Sequence, residues 1–92
     1  VGLDQPQSII AAVLFPNPAD KSVVVQLTSV RNIFTTIQLL DISGRVLQQN
    51  NFTLQPGTTQ LPFDLSDISK GVYLIKITQE NASKTLRLMI NR

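Results

Sequence analysis

A two-residue hydrophobic period, repeated in short segments, most constrains this chain. Glycine, proline, asparagine and aspartate fence the segments from one another. Side chains two apart share one face of a strand, whereas a helical face needs spacings of three and four. Residues 22–28 set Val23, Val25 and Leu27 against Val24 and Gln26. Residues 34–42 put Ile37 and Leu39 on one face, and residues 58–65 do the same with Leu61, Phe63 and Leu65. Residues 71–79 alternate most cleanly, with Tyr73, Ile75 and Ile77 on one face and Val72, Leu74 and Lys76 on the other. Residues 83–90 follow suit: Leu86, Leu88 and Ile90 oppose Thr85, Arg87 and Met89. An apolar run at 9–15 and a polar-diluted segment at 45–52, predicted to lie at a sheet edge, bring the total to seven strands.

The breaks between segments are as informative. Pro16-Asn17-Pro18 fixes two φ angles and removes two backbone donors, so neither a helix nor a central strand crosses it. Asp41-Ile42-Ser43-Gly44 reads as a turn with Gly44 at positive φ, and Pro56-Gly57 carries a type II turn signature. Glu80-Asn81-Ala82 reads as a hairpin loop. Several short strands with turn signals between them predict an all-β chain, a single immunoglobulin-like β-sandwich of about seven strands. A chain of 92 residues with 42% hydrophobic and 15% charged residues is one domain with one thin core, not a disordered polymer.

Composition excludes most chemistry. The chain has no His and no Cys, which removes the Ser-His-Asp and Cys-His arrangements and thiolate–imidazole metal sites. Six acidic residues, spread along the chain, do not assemble the oxygen ligands that calcium needs. Asp64 and Asp67 stand close together among Ser66 and Ser69, where local hydrogen bonds to backbone amides explain them without catalysis. No catalytic residue, metal or cofactor is predicted. Eight scattered Lys and Arg give a net charge of +2 without a basic stripe, so nucleic acid is not an expected partner. No apolar run is long enough for a spanning helix. Tyr73 shares its face with isoleucines and is expected in the core. Asn81-Ala82-Ser83 matches a glycosylation pattern that carries meaning only in a eukaryotic secretory pathway. Val1 to Ser8 reads as a linker, and the missing initiator Met suggests a longer parent chain.

The order of the punctuation is more specific than any one mark. Leu14-Phe15-Pro16-Asn17-Pro18-Ala19 is followed by Leu40-Asp41-Ile42-Ser43-Gly44-Arg45-Val46-Leu47, then Pro56-Gly57. Phe63-Asp64-Leu65-Ser66-Asp67-Ile68-Ser69-Lys70-Gly71-Val72-Tyr73 and the basic strand from Lys84 to Ile90 complete the series. From about Ala12 to Arg92 this resembles the C-terminal sorting domain of proteins exported by the type IX secretion system of Bacteroidetes. Two positions depart from the family pattern: Phe15 stands where Tyr is frequent, and Lys84 with Arg87 replaces paired lysines. The resemblance implies residues 1–11 as a linker to an upstream cargo domain, such as a protease, adhesin or glycoside hydrolase, and residues 12–92 as the sorting domain. It implies two external partners, an outer-membrane translocon and a sortase-like cysteine protease, with no stable membrane insertion. It also implies transit through the periplasm to the cell surface or exterior, cleavage near Val1–Ser8, and cargo joined to anionic lipopolysaccharide. Arg92 directly after the last strand accords with a true C-terminus.

Two readings stay open at each marked residue. Pro16, Asn17 and Pro18 either redirect the chain or contact the translocon. Gly44 and Gly71 are expected as turn glycines, and Asp41 with Arg45 either pairs across its turn or is recognised. For the last hairpin, Lys76, Lys84, Arg87, Met89 and Arg92 either form a recognition surface or lie buried between sheets. The rival to an export signal is a fibronectin-like spacer or adhesion module.

Overall fold

The computed structural model describes residues 11–80 and 82–91. Seven strands occur in chain order: β1 Ala11–Phe15, β2 Ser22–Ser29, β3 Ile33–Asp41, β4 Val46–Leu54, β5 Gly57–Asp64, β6 Gly71–Gln79 and β7 Ala82–Ile90. All pairings between these strands are antiparallel, and they form one sheet ordered β1-β2-β5 and a second ordered β4-β3-β6-β7. This is the division of an immunoglobulin-type sandwich, with β2 central to one sheet and β3 and β6 central to the other. The polar-diluted fourth segment is an edge strand, as its sequence predicts.

The two-residue period explains why the sheets face each other. Val23, Val25 and Leu27 from β2 meet Ile37 and Leu39 from β3, with Ile75 and Ile77 from β6 and Leu88 from β7, all essentially without solvent contact. Burying each such side chain is worth about 1.5–3 kcal/mol, and no disulfide assists. A small polar group, Ser29, Thr35 and Gln79, is also buried; Gln79 Nε2 donates to Thr35 Oγ1 at 3.0 Å, and Thr35 Oγ1 donates to the Ile33 carbonyl.

Two irregularities shape the edges. The β3–β4 register shifts between Leu39 and Leu40, so Leu47 is an extra residue on β4 and turns inward against the core. Pro56-Gly57 is not a hairpin turn: β4 and β5 belong to different sheets, and Gly57 takes φ +110° where the chain crosses between them. Gln48 Nε2 donates to the Asp64 carbonyl at 2.8 Å and ties the two sheets on this side. The linker expected at 1–8, the glycosylation pattern at Asn81 and the terminal Arg92 lie outside the described residues.

Candidate recognition surface

The Pro-Asn-Pro segment does more than end β1. Both Phe15-Pro16 and Asn17-Pro18 are cis, and the chain leaves its own sheet here to reach the outer edge of β7 in the other. Asn17 Nδ2 donates to the Arg87 carbonyl at 3.0 Å, while Asn17 Oδ1 accepts from the Met89 N–H at 3.1 Å. The Ala19 N–H donates to the Met89 carbonyl at 2.7 Å, and the Asn91 N–H donates to the Ala19 carbonyl at 2.8 Å, a parallel bridge beside Ile90. Ala19 is buried by this contact. Asn17 thus substitutes for a strand residue, presenting a side-chain amide where a neighbouring backbone would present a peptide group.

The β6–β7 pairing divides the last hairpin as its period predicts. Tyr73↔Leu88 and Ile75↔Leu86 face the core; Val72↔Met89, Leu74↔Arg87 and Lys76↔Thr85 face outward. Val72, Leu74 and Lys76 are half-buried by their neighbours, while Arg87 and Met89 are exposed. Lys84 stands apart: it pairs with Ile77 in the core-facing register and is exposed at the far end of the strand. The structure therefore gathers Lys76, Arg87 and Met89 on one face and leaves Lys84 off it. Met89 separates two shallow depressions, one lined by Asn17, Pro18 and Arg87, the other by Lys70, Gly71, Val72, Ile90 and Asn91. Through Leu40, opposite Leu74, and Val46, opposite Leu40, the apolar strip continues across the sheet. No outward position of the four strands carries Asp or Glu, so Lys76 and Arg87 give this face a one-signed charge.

The marked turns are locally explained. Asp41 and Gly44 close a turn through Gly44 N–H to Asp41 carbonyl at 3.0 Å, with Gly44 at φ +94°. Asp41 Oδ1 accepts from the Ser43 hydroxyl at 2.6 Å and from the N–H groups of Ser43 and Arg45, and Arg45 Nε reaches Oδ2 at 3.1 Å. The Ser43 hydroxyl, then the Arg45 N–H, holds the Asp41 carboxyl below its ordinary pKa, with partial burial opposing. Asp64 is lowered the same way by the Ser66 hydroxyl and N–H, which is the local capping its sequence suggests. Gly71 lies at φ +150° against the Tyr73 ring. Tyr73 is buried, and its hydroxyl donates to the Ser69 carbonyl at 2.6 Å, in the manner of a tyrosine corner.

Sequence reasoning missed two of these features. Asn17 between two prolines signals a turn, and nothing local says that its amide serves a strand seventy residues away. The Tyr73 hydroxyl had a findable signal, a tyrosine two residues into the sixth strand of a seven-strand pattern. Among the described residues no three Asp or Glu side chains cluster to hold a metal ion, and no helix is long and apolar enough to cross a membrane. The family model for the secretion system C-terminal sorting domain matches residues 13–91. No curated protein matches the chain.

Proposed function

The chain belongs to the family of type IX secretion C-terminal sorting domains, and from this premise we propose that the outward face of β6 and β7 is what the export machinery reads. Membership makes the domain a sorting signal, not a member of an enzyme family, and implies export to the cell surface or exterior. One observation carries the finer reading: Lys76 and Arg87 stand beside exposed Met89 and half-buried Val72 and Leu74 on a face without carboxylates. Apolar centres with arginine at the margin are the composition of binding patches.

The experiment fuses the chain behind a periplasmic reporter in a type IX-competent host. Lys76→Glu with Arg87→Glu should block export while circular dichroism and melting of the purified variant stay close to wild type. Export at the wild-type level by that folded double variant would overturn the reading. Arg92 belongs to the same proposal and is tested by Arg92→Glu alone.

Residues 1–11 act in this reading as the linker to an upstream cargo domain, and the partners are an outer-membrane translocon and a sortase-like protease. The stretch Val1–Ser8, with Gly2, Pro6 and polar residues, suits protease access. The mass of the exported reporter tests it: a product that keeps residues 12–92 would argue against removal of the domain, and one without added anionic lipopolysaccharide would argue against surface attachment.

A further inference from the structure

The sandwich has four edge strands, and three of them are guarded against pairing with another chain. Edges expose unpaired N–H and C=O groups, and proteins blunt them with prolines, charges, short length or a covering segment. β1 stops at Pro16, beyond which no backbone donor continues the edge. β5 carries Pro62, which removes a donor, and ends in Asp64. β7 is capped by Asn17 and Ala19 over Arg87–Asn91 and carries Lys84 below that cap.

β4 has almost none of these guards. It runs for nine residues, Val46–Leu54, with no charge and no proline, and only the bulge at Leu47 disturbs it near one end. Among the described residues no strand pairs with its outer side. Its middle is Gln48-Gln49-Asn50-Asn51, and Asn50 and Asn51 are exposed. We propose that the open edge of β4 pairs antiparallel with β4 of a second copy of this chain, joining two four-stranded sheets into one of eight.

Self-pairing fits this strand for a chemical reason. A charged edge repels its own copy, whereas a carboxamide is both donor and acceptor and so complements itself. Antiparallel self-pairing is isologous and closes as a dimer with two-fold symmetry, so it does not propagate into a filament. The two-fold axis runs perpendicular to the joined sheet, so directly opposed residues point to the same side. Both copies of the Lys76–Arg87 face consequently lie on one side of the dimer.

The test is sedimentation velocity of the purified chain across a wide concentration range, which is independent of export. A dimer is expected to dissociate on dilution. Asn51→Lys with Thr53→Lys, both on the outward face of β4, should weaken it at least about tenfold, because like charges then face each other across the new strand pair. The melting transition measured at monomeric concentration should be unchanged. Amide exchange should slow in alternate residues of β4 as concentration rises. A wild-type chain that is monomeric throughout, or a dimer that the lysine variant leaves intact, overturns the proposal. Binding of an extended segment from a different protein at this edge, with no self-association, overturns it as well.

Discussion

An asparagine side chain carries the donor and acceptor of a peptide group, and Asn17 places both on β7. The choice of residue can be tested atom by atom. Asn17→Ala abandons both hydrogen bonds but lets water reach the exposed strand edge, a loss of about 0.5–1.5 kcal/mol. Asn17→Asp keeps the acceptor for Met89 and sets a carboxylate oxygen against the Arg87 carbonyl. It should cost about 1–3 kcal/mol at neutral pH. Acid should partly rescue the aspartate variant relative to wild type, because a protonated carboxyl donates again; urea denaturation at neutral pH and at low pH reads both effects, and equal losses at both pH values would discount the repulsion. Asp41 follows the opposite course. Its folded pKa is held down by the Ser43 hydroxyl and the Arg45 N–H, so its contribution is complete above about pH 4 and fades as the pH falls through the lowered value. The stability gap between wild type and Asp41→Asn should therefore narrow in acid.

Elements differ in how far their sequence disclosed them. The strands were legible because each buries one face, and a single-residue slip would turn every core side chain outward. The turn at Asp41–Gly44 was legible because its chemistry is local: an acid, a hydroxyl and a glycine within four residues. Gly44→Ala meets no atom but forces a side chain into φ +94°, and should lose about 1–2 kcal/mol. The Pro56-Gly57 crossover was half legible: the glycine's positive φ follows from its type, but the change of sheet depends on which strands pair at long range. The Asn17 reach was not legible at all, since it joins elements at opposite ends of the sequence. Tyr73 was placed in the core by its neighbours, yet its hydroxyl serves the loop before β6. Tyr73→Phe should lose about 0.5–1.5 kcal/mol, read as a lowered urea midpoint with the m-value unchanged.

At the scale of the whole molecule, the surface offered for recognition and the wall of the core are the same strand. β7 presents Arg87 and Met89 to solvent and fills the interior with Leu88 and Ile90, which are fully buried, and Leu86, which packs against them. It also receives the Asn17–Ala19 segment that binds the first sheet to the second. Two fully buried side chains at about 1.5–3 kcal/mol each stand against a total stability of about 5–15 kcal/mol for a domain of this kind. Deleting β7 also strips cover from Ile75 and Ile77. A chain shortened by residues 84–92 should therefore fail to fold cooperatively, with collapsed amide dispersion in its NMR spectrum and no sharp melting transition. Loss of export by such a truncation would then report unfolding, whereas loss of export by the folded Lys76→Glu, Arg87→Glu variant would report recognition. A truncated chain that retains dispersed resonances and a cooperative melt would refute this coupling and mark β7 as a detachable tail.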